Sequence, residues 1–143
     1  MMVGSELVWM SLTDVAGAIR RREVSVSEVV DASLKRIETV RPILNAFIDV
    51  FIDEAREAAQ QADSRLQRST PTAPLFGVPL AHKDMFSRLG KRASGGSRIM
   101  ADVEPKATAT VMRRLDEAGA INVAALNLSE FAAGPTGHNE HFG

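Results

Sequence analysis

Three short apolar runs, separated by helical patterns, constrain the fold of this chain more than any other feature. Residues 43–52, 77–83 and 120–126 are rich in apolar side chains, as strands are. Helical connections of this kind join parallel strands and cover the faces of their sheet. The sequence therefore predicts one α/β domain with helices on both faces of the sheet.

The helices that precede the first run have start signals of their own. Ser11 is the predicted N-cap of a short amphipathic helix that extends to about Arg22. Ser25 and Glu28 have the spacing of a capping box. We expect the helix that they begin to end near residue 40, because the residue before Pro42 is disfavoured in helical conformation.

Two more helices are predicted further along the chain. Asp53 is the expected N-cap of the first, whose small side chains form a stripe suited to close packing on a sheet. Thr108 or Thr110 is the expected cap of the second, and Gly119 is expected to end it.

The run at 77–83 ends in charged residues. Its apolar part is followed directly by His82, Lys83 and Asp84. A lysine is almost never buried without a partner, and burial lowers the pKa of a lysine enough to make it a base. We expect Lys83 to stand at a buried strand end. The alternative is a solvated lysine, with Asp84 as a cap or a surface ion pair.

Lys83 and Asn127 each close a predicted strand. In parallel sheets the carboxyl ends of neighbouring strands lie at one edge, and binding sites gather there. The two side chains are therefore expected at the same edge of the sheet.

The composition excludes several classes of function. The 143 residues carry a net charge of −1 and only 5% aromatic side chains, so no direct contact with nucleic acid is expected. The absence of cysteine rules out disulfides and thiolate zinc sites and suits a cytoplasmic protein. The amino terminus lacks the pattern of a secretion signal. No apolar run approaches the roughly 18 residues of a membrane helix.

Two other groups of polar residues are weaker candidates for a site. Residues 94–97, Ser-Gly-Gly-Ser, could cradle an anion with backbone N–H groups, but no P-loop pattern surrounds them and we expect an ordinary flexible loop. His138, Glu140 and His141 do not have the spacing of a zinc helix. We predict no metal and no cofactor.

Three motifs in sequence are far more specific than any of these features. They are G-V-P-L-A-H-K-D at 77–84, T-A-T-V-M-R-R-L-D-E-A-G-A-I at 108–121 and A-L-N-L-S-E-F-A-A-G-P-T-G-H-N at 125–139, with Ser97 between the first two. In this order they resemble the N-terminal part of the amidase signature family. That family includes fatty-acid amide hydrolases, aryl and peptide amidases, and the A subunit of the tRNA-dependent amidotransferase.

The resemblance implies the N-terminal portion, residues 1–143, of an α/β/α sandwich with a mixed sheet. It also implies hydrolysis of carboxamides by a relay of a nucleophilic serine, a serine held by a cis peptide, and a lysine. Lys83 matches that lysine, which acts as the base at the far end of the relay. The loop at 131–137 matches one that lines the substrate cleft, so Ala133 and Gly134 are candidate wall residues.

The chain departs from the family pattern in two places. Residues 124–127 read A-A-L-N where the family usually has G-K-T-N, so no role is carried over to Ala125. The family's catalytic serines lie further downstream than residue 143, and neither Ser94 nor Ser97 is assigned as a nucleophile. We therefore expect no activity from this chain alone.

Several alternatives remain open. The chain could be a non-catalytic interaction module, a truncated product, or part of the A subunit of a tRNA-dependent amidotransferase. The expected partners are a small amide substrate and either a C-terminal amidase portion or a second copy of the chain, with no membrane. An uncovered sheet edge and exposed apolar surface would make the chain marginally stable.

Overall fold

A computed structural model describes residues 4–143 of the chain, with side chains from residue 6 onward. Part of the amino-terminal stretch tested for a secretion signal lies outside these residues. The helices are α1 (Gly4–Leu7), α2 (Leu12–Arg20), α3 (Val26–Leu44), α4 (Ile52–Arg68) and α5 (Thr110–Glu117), and the strands are β1 (Phe47–Val50), β2 (Pro79–Lys83) and β3 (Ile121–Leu126). Two short 3₁₀ turns span Arg98–Met100 and Glu130–Ala132.

The three strands form one sheet in the order β1-β3-β2. Strand β2 runs parallel to the central strand β3, with Lys83 opposite Leu126. Strand β1 runs antiparallel to β3, with Phe47 also opposite Leu126. The α/β class and the mixed sheet are therefore confirmed, and the expectation of parallel strands throughout is wrong for β1.

Helix α3 begins as predicted and ends later than predicted. Ser25 and Glu28 form the capping box, with the Ser25 N–H donating to a Glu28 carboxylate oxygen at 2.8 Å. The helix continues through Pro42 and ends at Asn45, which is left-handed with φ 47°. Proline costs one helical hydrogen bond. Here Pro42 lies in the last turn, where the carbonyl that loses its partner belongs to the exposed residue Glu38.

Helix α4 begins earlier than predicted. Phe51, not Asp53, is its N-cap, and it makes no side-chain cap bond. Asp53 lies in the first turn, where the positive end of the helix dipole stabilises a negative charge. Because α3 uses residues 43 and 44, strand β1 is shorter than the predicted run. The predicted cap of α5 is also wrong, because Ala109 and neither Thr108 nor Thr110 is its N-cap. The hydroxyl of Thr108 instead accepts the Leu89 N–H at 3.1 Å.

The core lies between α2, α3, α4 and the sheet. Its fully buried members include Ile19, Val26, Val30 and Ala59. Burying an aliphatic side chain of the size of valine or isoleucine contributes about 1.5–3 kcal/mol. Gly77, before β2, packs so closely on α3 that a β-carbon there would lie 2.5 Å from a Val26 methyl, and its φ is +75°.

Part of the apolar surface is uncovered in the described residues. Strands β1 and β2 each have β3 as their one neighbour in the described sheet, so each leaves one edge free. Met85, Leu89, Ile99 and Phe131, in segments that follow β2 and β3, are all more than 45% exposed. Among residues 4–143, no helix has the length and hydropathy to cross a membrane.

Candidate functional site

Lys83 is the last residue of β2, and its side chain is exposed. Side chains alternate between the two faces of a strand. Ala81 and Lys83 are exposed, whereas His82 between them is buried. The side chain of Lys83 makes no hydrogen bond or ion pair with any described residue. The expectation of a buried lysine is therefore wrong for residues 4–143, because none of them packs over the side chain at this end of β2.

His82 anchors the same strand on the buried face. Its ring stacks on Phe51, with centroids 6.2 Å apart and planes at 17°. Its Nδ1 lies 3.0 Å from Oδ1 of Asn122. These two contacts fix the end of β2 against the start of α4 and against β3.

Asp84 directly follows Lys83 and is a buried acceptor. Only 2% of the residue is exposed. One carboxylate oxygen accepts the Ser94 N–H at 2.9 Å and also the Ser94 hydroxyl. Its main chain is held on both sides, because its N–H donates to Leu126 O and its carbonyl accepts from the Gly95 N–H. The prediction of a helix cap or a surface ion pair is wrong.

The serine loop (residues 94–97) is packed into the protein. Ser94 and Ser97 are buried, Ser97 completely. All four N–H groups have internal acceptors: Asp84 accepts two, and Ser94 accepts those of Gly96 and Ser97. An anion would find no free backbone donor here. The segment is a loop, as expected, but it is buried and hydrogen-bonded, and the alternative of an anion cradle is wrong.

The wall loop (residues 129–139) joins the serine loop through three bonds. The Phe131 N–H donates to Gly95 O at 2.7 Å. The Ser97 hydroxyl donates to Glu130 at 2.6 Å, which is the main reason that the pKa of Glu130 lies below its usual range. The third bond comes from Asn139. Phe131 has φ 51°, a left-handed conformation that costs a residue with a side chain about 1–2 kcal/mol.

Ala133 and Gly134 are exposed in the middle of the wall loop. The Ser129 hydroxyl accepts the Gly134 N–H at 3.0 Å and donates to the Gly134 carbonyl at 2.8 Å. Two bonds from one side chain close this part of the loop. The assignment of Ala133 and Gly134 as substrate contacts stays a prediction.

Asn139 is the residue that ties these segments together. It is 3% exposed, and its amide donates to Gly96 O and to Leu128 O, each at 2.7 Å. Its carbonyl oxygen accepts the N–H groups of His141 and Phe142. All four hydrogen bonds of the side chain are made within the protein, so one residue joins the serine loop, the end of β3 and the last residues of the chain.

Asn127 lies at the same sheet edge as Lys83, as predicted, because it follows Leu126, the partner of Lys83. Its amide donates to main-chain carbonyls of Asn45 and Gly143. Sequence reasoning missed the roles of Asp84, Glu130 and Asn139. The position of Asp84 after an apolar run was a usable signal. Asn139 had none, because its acceptor on Gly96 is 43 residues away.

Two other features carry no site of their own. His141 contacts Glu130 at 3.2 Å, yet the described residues contain no group of three potential ligands that could hold a metal. A groove of about 550 Å³ lies between α3 and α4, lined by Leu34, Ile37, Val50 and others. It contains none of the predicted site residues.

A sequence model of the Amidase family matches residues 28–143. The chain is 41% identical over 133 residues to the A subunit of the glutamyl-tRNA(Gln) amidotransferase of Halorhodospira halophila. It is 42% identical over 133 residues to the protein of that name from Cupriavidus necator. Each match covers 93% of this chain, but the chain spans only 27% and 26% of those relatives.

Solved structures show the same architecture. A protein from a vestigial complex, studied for the origins of an s-triazine catabolic enzyme, superimposes with a TM-score of 0.89 at 32% identity. A solved amidase gives 0.85 at 30% identity. Both matches cover 94% of this chain and 30% of the other. A fatty acid amide hydrolase shares the fold, with a TM-score of 0.85 at 22% identity. That match covers 90% of this chain and 23% of the hydrolase.

Proposed function

The chain belongs to the amidase family, and we propose that it is the lysine-bearing N-terminal portion of an enzyme that hydrolyses carboxamides. One observation carries this proposal. Among the described residues, Lys83 presents an unpaired amine at the carboxyl end of a strand, directly before the buried residue Asp84, which is bonded to the buried serine loop. The hydrogen-bonded main chain there fixes the root of the lysine side chain and leaves the amine free to meet a partner.

In the proposed reaction Lys83 is the base at the far end of a serine relay. The two serines come from a portion of the enzyme beyond these residues. Lys83 takes a proton from the first serine, which takes one from the nucleophile. The nucleophile attacks the amide carbon, a proton returns from Lys83 through the first serine to the amide nitrogen, and the C–N bond breaks to release the amine and leave an acyl-enzyme. Water then attacks the acyl carbon, gives up a proton through the same relay, and releases the acid and the free serine. Packing of that portion over Lys83 would disfavour its charged form and make it a base.

The remaining assignments follow from the same proposal. Ala133 and Gly134 form part of the wall beside a small amide substrate. The partner that completes the site is a C-terminal amidase portion, and we propose a cytoplasmic location. The exposed side chains of Met85, Leu89 and Phe131 are apolar surface for that portion to cover.

A chimera tests the proposal. In this chimera, residues 1–143 replace the matching segment of a bacterial aryl acylamidase. The two proteins superimpose with a TM-score of 0.87, and the match covers 28% of the acylamidase. We expect the chimera to hydrolyse an aryl acylamide. Lys83→Ala should lower kcat/KM by about 10²–10⁴-fold, the usual contribution of a general base. Lys106→Ala, an exposed loop lysine, is the matched control and should retain activity.

Other outcomes separate the alternatives. Equal activity of the Lys83→Ala and Lys106→Ala chimeras would show that Lys83 is not the base. Turnover by the isolated 143-residue chain, lost in Lys83→Ala, would show that the catalytic groups all lie within it. An inactive chimera, together with tight binding of the isolated chain to the separate C-terminal portion of the acylamidase, would favour the interaction module.

A second candidate is the A subunit of a tRNA-dependent amidotransferase. It is favoured by the 41% and 42% identity to proteins of that name. This candidate predicts co-purification of the chain, extended by the C-terminal portion of the Halorhodospira halophila protein, with the other components of that amidotransferase. Failure to co-purify, beside a native protein that does, would favour a stand-alone amidase.

A further inference from the structure

The carboxylate of Asp84 holds more of the site in place than any contact of Lys83 does. Its side chain binds both the N–H and the hydroxyl of Ser94, and its own peptide bonds to Leu126 and Gly95. Lys83 itself makes no side-chain bond to the described residues. Among the described residues only the backbone of Lys83 is held, so the root of its side chain is placed by β2 and by the next peptide, which is that of Asp84.

The bonds of Asp84 extend to the wall loop through the serine loop. Gly95 donates to Asp84 with its N–H and accepts from Phe131 with its carbonyl. Ser97, at the other end of the serine loop, donates to Glu130. The serine loop is thus a bridge, with Lys83 on one side and the loop of Ala133 and Gly134 on the other.

A buried carboxylate is a costly way to build this bridge. Burying a charge is unfavourable unless it is paired and hydrogen-bonded. Asp84 is 2% exposed and forms no ion pair with any described residue. Its stabilisation comes from donors of Ser94, which is also buried. Hydrogen bonds to a charged acceptor are about twice as strong as neutral ones, which favours a role in fixing the loop.

We infer that Asp84 is a positioning residue, which fixes the serine loop to the end of β2 and so sets the distance between Lys83 and the wall loop. The catalytic part of this inference rests on the proposed amidase function. Its structural part does not. The two parts have separate experiments, so that failure of one is distinguishable from failure of the other.

Hydrogen–deuterium exchange of the 143-residue chain tests the structural part. Asp84→Ala removes the acceptor of the Ser94 N–H and should speed exchange of that amide by about tenfold or more, the value of a hydrogen bond to a charged group, with α3 unchanged. Asp84→Asn keeps one acceptor oxygen and should preserve most protection. Asp102→Ala, an exposed loop aspartate, is the control. Unchanged exchange in Asp84→Ala would overturn the inference.

The acylamidase chimera tests the catalytic part. Asp84→Ala should lower kcat by about 100-fold, as misplacement by about 1 Å does, with KM unchanged and activity rescued in Asp84→Asn. If Asp84→Asn falls as far as Asp84→Ala, the charge matters and not the position, and the inference is wrong. Should Asp84→Ala fail to fold, Ser94→Ala removes only the hydroxyl partner and should lower kcat in the same direction, and an unchanged kcat there counts against the inference. A wild-type chimera without activity would overturn the proposed function, and the exchange experiment would still decide whether Asp84 fixes the loop.

Discussion

The two halves of this molecule are held together by different forces. In the helical half, α2 to α4, the buried side chains are apolar, as in Ile19, Val26 and Val30. At the carboxyl end of the sheet the buried groups are polar, among them Asp84, Ser97 and Asn139. Apolar packing depends on volume and is tolerant of exchange among similar side chains. A buried polar network depends on every bond being made.

The difference affects how closely each half is fixed in place. Hydrogen bonds have narrow ranges of distance and angle, so the serine loop and the wall loop are fixed more closely than apolar contacts alone would allow. That suits the proposed role of Lys83, which needs a set distance between this residue and other groups. The helical half needs only to remain folded beneath it.

The largest expected effect is in the helical half. Ile19→Ala removes a side chain that is 1% exposed and should lower the free energy of unfolding by about 2–5 kcal/mol, against about 0.5–1.5 for Ile19→Val. Urea denaturation followed by circular dichroism measures both. A cost for Ile19→Ala no larger than that of Ile19→Val would show that this half is not held by packing.

A smaller effect is expected where backbones approach closely at the site end. Gly96 and Gly137 have φ +72° and +74°, so an alanine is strained equally at both. A β-carbon at Gly96 would lie 2.8 Å from Leu128 O, whereas nothing lies within 4 Å at Gly137. Gly96→Ala should therefore cost about 1–3 kcal/mol more than Gly137→Ala, the usual range for overpacking.

Thermal or urea unfolding of the two glycine variants gives that difference directly. Because the strain from φ is common to both, the difference isolates the close contact. Equal stability of Gly96→Ala and Gly137→Ala would mean that the serine loop moves aside freely, and the contrast between the two halves would be lost.

The smallest effect concerns pH. The hydroxyl of Ser97 holds the pKa of Glu130 below its ordinary range. A carboxylate with a lowered folded pKa stabilises the protein above its unfolded pKa, about 4.3, and this contribution is lost as pH falls through the lower folded value. Ser97→Ala should raise the pKa of Glu130. Titration of that carboxyl by NMR measures it, and an unchanged pKa would assign the shift to His141 instead.

What the sequence could predict was determined by how local each interaction is. The capping box of Ser25 and Glu28 lies within a single helical turn and was predicted correctly. The end of α3 was predicted wrongly. Pro42 lies in the last turn, where it costs one hydrogen bond at an exposed position, and the helix continues to the left-handed residue Asn45.

The sequence predicted the position of Lys83 correctly and its burial wrongly. The place of Lys83 at a strand end follows from a local pattern. Its exposure depends on what packs over the open face of β2, which no pattern within the strand reports. The bonds of Asp84 to Ser94 and of Asn139 to Gly96 join residues 10 and 43 positions apart, so no local pattern indicates them.

The strand order also has a consequence for how the chain is made. Strands β1 and β2 leave the ribosome before β3, the neighbour that each of them has in the described sheet. Helices α3 and α4 pack on each other and can associate in the nascent chain, whereas the sheet waits for residue 126. The site waits longer still, because the serine loop needs Asn139. Until then β1 and β2 are unpaired edges, and the candidate site is the last of the described parts to form.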